Sequence, residues 1–157
     1  MSNYSEALAS AASYCSMAEH CISEVVEKVK RFELTSDEQA QLIRRLLDES
    51  YLNEGRYVKA FVKDKFRFSK WGRIKIRYAL RQKGISATLM EEGMSEIQQE
   101  DYLELLTDLL RQKKRSTKAN SPYELRGKLL RFAAGRGFEL DQAGACLRKL
   151  GLDDEEE

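Results

Sequence analysis

A short pattern that recurs at a fixed distance constrains the fold of this chain more than any other feature. Lys30-Arg-Phe32, Lys83-Gly-Ile85 and Arg136-Gly-Phe138 each place a basic residue two positions before a large apolar one, and successive copies are 53 residues apart. A unit of about fifty residues has room for three helices, and such units bury their apolar faces against their neighbours. The pattern therefore predicts an elongated array of tandem units.

The segments around each copy have helical character. Ser16 to Glu19, Ser36 to Gln39 and Ser121 to Glu124 fit the capping box that starts a helix, and Pro122 suits the first helical position. No segment shows the alternation of a strand. Apolar residues recur every three or four positions, and those expected to face the core are Ile22, Val25, Val26, Val29, Leu42, Ile43, Leu46, Leu47, Met90, Met94, Ile97, Leu103, Leu106, Leu109, Leu110, Leu125, Leu129, Phe132, Ala133, Leu140, Ala143, Leu147 and Leu150.

We therefore predict an all-α fold of three tandem three-helix repeats. The repeats are expected at residues 1–52, 53–97 and 98–152, with an acidic tail at 153–157. Gly84 and Gly137 are expected in the left-handed conformation that ends a helix, and Arg31 departs from that pattern.

Charge is segregated into blocks, although the net charge of the chain is only +1. Residues 56–83 hold 11 basic residues and one acid, Asp64, whereas residues 84–104 hold six acids and no basic residue. Residues 105–136 are basic again, with nine basic residues and two acids. Segregation of this kind concerns the partners of a protein more than its fold.

The basic block resolves into helix faces. At 100° per residue, one face carries Arg56, Lys59, Lys63 and Arg67, and the opposite face carries Tyr57, Val58, Phe61 and Val62. After Trp71-Gly72, a second ridge is expected on the surface at Arg73, Arg77 and Arg81. Clustering on one face is the usual footprint of an anion-binding surface. The candidate partner-binding or DNA-binding residues are Arg56, Lys59, Lys63, Lys65, Arg67, Lys70, Arg73, Lys75, Arg77, Arg81, Arg111, Lys113, Lys114, Arg115, Arg126, Lys128 and Arg131.

Such a surface can meet the phosphates of nucleic acid or the carboxylates of a protein, and the sequence leaves this choice open. A protein that reads DNA sequence places Asn, Gln, Ser or Thr against base edges, and residues 74–83 offer only Gln82. Sequence-specific DNA recognition is therefore not expected.

Enzyme chemistry and cofactors are not expected either. His20 is the only histidine and has no nucleophile arrangement around it, and Gly135-Arg-Gly137 lacks the Lys-Ser/Thr and the preceding strand of a phosphate loop. Cys15, Cys21 and Cys146 have no zinc-like spacing, so buried reduced thiols of a cytoplasmic protein are expected. The first ten residues do not resemble a secretion signal, and no apolar run approaches the roughly 18–20 residues that cross a membrane.

Several of these residues together resemble the RecX family of RecA regulators. The resemblance covers residues 16–150 and rests on Tyr51-Leu-Asn53 followed by Arg56-Tyr57, on Trp71-Gly72 with Ile76 and Leu80, on Lys83-Gly84-Ile85 and on Arg136-Gly137-Phe138. Gly55 stands where the family more often has an acidic or polar residue, and Arg31 replaces a turn glycine. The first departure is expected to soften the start of the helix that carries Arg56.

The resemblance implies a curved array of three-helix units that lodges in the groove of a RecA–DNA filament. It implies a monomeric regulator that bridges RecA protomers and restrains, mainly inhibits, recombinase, ATPase and co-protease activity in DNA repair and the SOS response. Some members of the family also bind single- or double-stranded DNA. Two alternatives remain from the residues themselves: a nucleic-acid-binding module that acts without RecA and without regard to sequence, and a scaffold whose basic face binds any acidic partner.

Overall fold

A computed structural model describes residues 3–153, and within that range the chain forms α-helices and no strand. The all-α prediction is confirmed. The helices are α1 (Tyr4–Met17), α2 (Ile22–Val29), α3 (Ser36–Asp48), α4 (Glu54–Arg67), α5 (Arg73–Gln82), α6 (Ala87–Met94), α7 (Gln99–Ser116), α8 (Pro122–Gly135) and α9 (Leu140–Lys149). A short 3₁₀ turn, Lys30–Phe32, follows α2. The tail expected at 153–157 lies outside the described residues from residue 154 onward.

One of the three predicted helix starts is confirmed. The Ser121 side chain accepts a hydrogen bond from the Glu124 N–H, and Pro122 is the first residue of α8. The start predicted at Ser16 is wrong, and at Ser36 the helix is present but its cap is displaced by one residue. Ser16 lies inside α1, where its hydroxyl donates to the Ala12 carbonyl, and α3 is capped one residue earlier than expected, by Thr35.

The predicted core faces are confirmed with two exceptions. The expected positions are buried or half-buried in every helix that carries them, but Leu47 is 41% exposed and Leu140 is 60% exposed. Leu140 is the first residue of α9. Helical spacing alone does not show whether another helix reaches far enough to cover a side chain at the end of its own helix. All three cysteines are buried, as expected. No helix among residues 3–153 is long and apolar enough to span a bilayer.

The helices group into two compact units. Unit 1 comprises Met1–Phe61 and Leu80–Gly93, and unit 2 comprises Val62–Ala79 and Met94–Glu157. Both α4 and α5 therefore contribute residues to each unit. The repeat boundaries at residues 52, 97 and 152 stay a prediction, because the units follow contacts in space and the repeats follow the sequence.

Unit 1 is built on a helix that sequence patterning missed. The buried face of α1 consists of Ala7, Ala11 and Cys15, which pack into one apolar cluster with Val25 and Leu42. These side chains are small and lie four residues apart, so α1 can approach its neighbours closely. Small residues carry a weak hydrophobic signal, which is why the pattern did not identify this helix.

The repeated basic–glycine–apolar pattern forms the same turn twice. Gly84 and Gly137 have φ angles of +79° and +92°, as predicted. The N–H of Ile85 donates to the carbonyl of Leu80, and the N–H of Phe138 donates to that of Ala133, which is the six-to-one bond of a Schellman motif. The first copy differs, because a 3₁₀ turn follows α2 and the left-handed residue is Glu33, at φ +52°.

Each of these two turns docks on the start of an earlier helix in its own unit. In unit 1, the Ser23 hydroxyl donates to the Lys83 carbonyl at 2.7 Å. In unit 2, the N–H of Gly72 donates to the Arg136 carbonyl at 2.8 Å, and the N–H of Ile74 donates to the Gly137 carbonyl at 3.0 Å. Carbonyls at a helix end thus pair with donors at a helix start, which satisfies groups that a helix leaves unbonded.

Glu24 joins three segments of unit 1. One carboxylate oxygen accepts from the Cys21 N–H and lies 3.0 Å from His20 Nδ1, and the other accepts from Lys83 Nζ at 3.0 Å. Burial acts to raise the pKa of the Glu24 carboxyl, but hydrogen bonds from Lys83, His20 and the Cys21 N–H outweigh burial, so its pKa is lowered overall. The charged form of Glu24 is therefore the one that stabilises the fold.

This lowered pKa predicts acid sensitivity. A carboxyl whose folded pKa is depressed contributes stability above its unfolded pKa, about 4.3, and loses that contribution as the pH falls through the folded pKa. We expect the urea unfolding midpoint, measured by circular dichroism, to fall less between about pH 5 and pH 3 in a Glu24→Gln variant than in the wild-type chain. Equal pH slopes for the two chains would contradict a stabilising role for this carboxylate.

Candidate partner-binding surface

Helix α4 presents the predicted basic ridge. The Asn53 side chain accepts a hydrogen bond from the Arg56 N–H at 3.0 Å, which caps the helix start. The predicted core face is confirmed, since Tyr57, Val58 and Val62 are buried and Phe61 is half-buried. The opposite face exposes three basic residues at four-residue spacing, and we call Lys59, Lys63 and Arg67 the α4 ridge.

Arg56, the fourth residue predicted for this ridge, is bonded within unit 1. Its guanidinium lies 3.1 Å from the Glu19 carboxylate and also donates to the Ser50 carbonyl at 3.0 Å. A partner would have to compete with both contacts. Arg56 therefore ties the start of α4 to preceding segments, and this role requires contacts that the sequence pattern does not contain.

Arg73 lies inside unit 2 rather than on the surface where the ridge on α5 was expected. Its guanidinium stacks on the Tyr102 ring at 3.8 Å from the ring centroid, donates to Gln99 at 3.0 Å and lies 3.9 Å from the Glu139 carboxylate. Its side chain is only 16% exposed. Tyr102 is fully buried and donates to Glu139; burial first, and then this hydrogen bond, raise the pKa of its hydroxyl.

The exposed face of α5 is turned relative to the predicted one. Arg77 is half-buried and makes contacts within the protein, and Arg81 is exposed. Ile74 is 52% exposed and Tyr78 is 59% exposed, and Lys75 lies on the same face. The reason is the docking of the α5 start on the Arg136 turn, which fixes how the helix is rotated about its axis.

The turn between α4 and α5 holds further basic residues around an aromatic ring. Lys65 Nζ lies 5.0 Å and Lys75 Nζ 4.7 Å from the centroid of the half-buried Trp71 ring, distances at which a cation is attracted to an aromatic face. Lys70 is exposed, with φ at +56°, and Phe68 is 79% exposed. The turn thus presents cationic and apolar groups together.

The candidates at the end of α7 divide between internal contacts and exposure. Arg111 lies 2.7 Å from the Asp108 carboxylate, and Lys113 Nζ lies 5.2 Å from the Phe132 ring centroid. Lys114 donates to the Leu150 carbonyl at 3.4 Å. Arg115 is exposed.

The candidates on α8 divide in the same way. Arg126 is half-buried and makes contacts within the protein. Lys128 donates to the Lys118 carbonyl at 2.6 Å and lies 3.2 Å from the Glu124 carboxylate, whereas Arg131 is exposed. Binding roles for the basic residues of positions 105–136 stay a prediction.

The exposed apolar residues of this region were not among the predicted site residues. Phe68, Ile74 and Tyr78 are among the large hydrophobic side chains that the structure leaves in solvent, and all three belong to unit 2. Ile74 and Tyr78 are four residues apart, so both lie on one side of α5. Their helical angles place them beside Lys75, which is the signal in the sequence that points to them.

Unit 2 also contains a cleft of about 510 Å³ between the end of α4 and the stretch of α7 from Asp101 to Gln112. Its floor is apolar, one wall carries Arg67 and Lys70, and the other wall carries carboxylates of α7. We call it the α4–α7 cleft. The basic surface therefore borders an acidic one.

Comparison with known proteins identifies the family. The family model described as "RecX, second three-helix domain" matches residues 53–94, and that described as "RecX, third three-helix domain" matches residues 99–147. The Regulatory protein RecX of Acinetobacter baylyi is 32% identical over 123 residues, which cover 78% of this chain and 74% of that protein. The chain belongs to the RecX family.

Other RecX relatives are longer than this chain. The Regulatory protein RecX of Lactobacillus gasseri is 26% identical over 98% of this chain, and that of Clostridium beijerinckii is 28% identical over 81% of it. The matched regions span 56% and 60% of those two proteins. The resemblance to the RecX family, stated above from the sequence, is confirmed by these matches and by the family models.

Solved RecX structures share the fold. The crystal structure of RecX from Lactobacillus salivarius superposes with a TM-score of 0.84 at 20% identity, covering 96% of this chain and 97% of that one. A second RecX crystal structure gives a TM-score of 0.84 at 18% identity over 93% of this chain and 73% of that one. Together with the two family models, these structures confirm the predicted helical repeat fold.

Proposed function

We propose that this RecX-family chain regulates RecA by binding the RecA–DNA filament and restraining its ATPase, recombinase and co-protease activities. Its relatives bear the name "Regulatory protein RecX", which supports a regulatory role. The contact surface in this proposal is the α4 ridge together with the exposed residues of the α4–α5 turn and of α5.

The observation that carries the proposal is the mixture of exposed groups in residues 67–78. Phe68, Ile74 and Tyr78 expose large apolar surface, and Arg67, Lys70 and Lys75 are exposed among them. Aromatic and cationic side chains that are buried on association supply much of the affinity of protein interfaces. Large apolar side chains exposed close together in the sequence among cations are more typical of a binding surface than of a merely solvated face.

The nucleic-acid alternative fits this surface less well. Phosphates attract a uniformly basic surface, and a binding face for a nucleic-acid backbone is expected to be free of carboxylates. Here Arg67 and Lys70 share a cleft with Asp101, Glu104 and Asp108. These carboxylates would repel a phosphate backbone, whereas a protein surface can carry charges of both signs.

The proposal is tested by RecA ATPase activity on single-stranded DNA. We expect the wild-type chain to inhibit it at concentrations well below those at which the chain coats free DNA. Reversing the α4 ridge with Lys59→Glu, Lys63→Glu and Arg67→Glu is expected to raise the half-inhibitory concentration about tenfold or more, because interface charges facing an acidic partner become repulsive. These residues are exposed, so helical content should not change.

The matched control changes the net charge equally at exposed sites of unit 1 that belong to other helices and turns. It carries Lys30→Glu, Arg31→Glu and Arg44→Glu, and we expect it to inhibit like the wild-type chain. If the wild-type chain inhibits only where it coats DNA, the nucleic-acid alternative is favoured. If both triple variants lose inhibition equally, general charge rather than the α4 ridge is responsible.

A further inference from the structure

The α4–α7 cleft has an apolar floor that is held in place. Phe66 and Leu109 are almost fully buried at the bottom of the cleft, and Leu105 is half-buried beside them. The Phe66 ring stacks on Tyr102 with centroids 5.9 Å apart, and Tyr102 is itself fully buried. Because these contacts fix the floor, the cleft does not depend on a bound partner to form.

The two walls carry opposite charge, and their charged side chains do not pair with each other. Among residues 3–153, no ion pair or hydrogen bond engages the side chains of Arg67, Lys70, Asp101 or Glu104, although all four line the same cleft. Asp108 differs, since Arg111 already pairs with it at 2.7 Å. The cleft therefore offers two cations on one side and two carboxylates on the other, each still exposed.

The length of the acidic wall suits a short helical occupant. Asp101 and Glu104 lie three residues apart on α7, and Leu105 and Leu109 follow one another at four-residue spacing beside them. At a rise of 1.5 Å per residue, Asp101 to Leu109 extends about 12 Å, or about two helical turns. A groove of this length with an apolar floor and charged walls accommodates about two turns of an amphipathic helix, whose apolar face lies in the groove and whose polar flanks meet the walls.

We infer that the α4–α7 cleft binds a helical segment of the protein partner, with apolar side chains on the floor, basic residues against Asp101 and Glu104, and acidic residues against Arg67 and Lys70. This inference rests on the proposed function for the identity of the partner, which is RecA. The two oppositely charged walls also fix the direction across the cleft, because a segment turned over would meet like charges on both sides. A nucleic acid does not fit, because it carries no cations for the acidic wall.

Charge reversal of the acidic wall tests the inference. The Asp101→Lys, Glu104→Lys variant is expected to require about tenfold more protein for half-inhibition of RecA ATPase. The matched control is Glu96→Lys, Glu100→Lys, which changes the net charge equally near the start of α7 but outside the cleft. Glu100 and Asp101 both lie in the first turn of α7, so both variants lose one acid from the helix start.

The outcomes separate this inference from the proposed function. Inhibition by the wild-type chain and by both variants alike would overturn the cleft as a binding site and leave the proposed function standing. Absence of inhibition by the wild-type chain would overturn the proposed function first. If the acidic-wall variant loses its circular dichroism signal, the near-isosteric variant Asp101→Asn, Glu104→Gln provides the same test without charge reversal, and it is expected to weaken inhibition in the same direction by a smaller factor.

A crosslink identifies the occupant directly. A photoreactive side chain in place of Gln112, which is exposed and lines the cleft, is expected to label a RecA segment that contains basic residues when the filament is present. The same group in place of Glu100 should label that segment much less. Labelling of DNA instead of RecA at residue 112, or equal labelling from both positions, would overturn the inference.

Discussion

Replacing Gly137 by alanine is expected to lower the free energy of unfolding by about 3–5 kcal/mol, because the new methyl group has no room and the backbone conformation is unfavourable for any other residue. A Cβ at this position would lie 2.3 Å from Lys75 Cβ and 2.7 Å from the Lys75 backbone nitrogen. The φ angle of +92° adds strain for a residue with a side chain. The backbone would have to shift, and it is the Gly137 carbonyl that accepts the Ile74 N–H.

The matched control is Gly135→Ala, two residues earlier in the chain. A Cβ on Gly135 would meet nothing within 4 Å, and that residue ends α8 with ordinary helical geometry. Gly135→Ala should leave stability unchanged or raise it by up to about 1 kcal/mol, because alanine restricts the unfolded chain. Urea unfolding followed by the fluorescence of Trp71, the only tryptophan of the chain and a member of unit 2, measures both variants. Similar stabilities for the two variants would contradict the close packing at Gly137.

Phe138→Ala is expected to cost about 3–5 kcal/mol, the usual range for removing a fully buried phenyl ring. Phe138 is 1% exposed, and its ring centroid lies 5.3 Å from that of Tyr102. The repeat pattern alone placed an apolar residue here, and the cavity left by alanine would lie beside the network of Tyr102, Arg73 and Glu139. Trp71 fluorescence in urea again measures the change.

Phe68→Ala provides the matched control for this variant. It removes the same ring from the same unit, but Phe68 is 79% exposed. Its effect on stability should be within about 0.5 kcal/mol, as for surface substitutions in general. If Phe138→Ala were as mild as Phe68→Ala, the Arg136-Gly-Phe138 turn would not be part of the core of unit 2.

Helix faces and turn glycines could be predicted because they depend on neighbours along the chain. The α4 ridge follows from four-residue spacing, which places side chains on one face whatever the rest of the fold does. Gly84 and Gly137 were identified because a left-handed residue after a helix favours glycine wherever that helix lies. The helix starts were less predictable, since Ser36 and Thr35 are both competent caps and only the backbone path selects Thr35.

The candidate surface was predicted in outline and needed correction in detail. Arg56, Arg67 and Arg73 are all arginines of the same charge block. Arg73 nevertheless packs on Tyr102, Arg56 pairs with Glu19, and Arg67 is exposed. Apart from the Ser50 carbonyl, the partners of Arg56 and Arg73 are 26 to 66 residues away in the sequence. No local pattern encodes contacts at that distance.

The sequence by itself determined that this chain is helical, that it repeats and that its basic residues gather in the middle, because periodicity, turn chemistry and charge are properties of short segments. The tertiary structure alone decided which charges remain available to a partner. Docking of the Arg136 turn on the start of α5 turned Arg73 inward and Ile74 and Tyr78 outward. Packing of α4 near α7 placed Arg67 and Lys70 opposite Asp101 and Glu104. Both arrangements are set by contacts between segments that are distant in sequence, where the burial of apolar area governs the geometry.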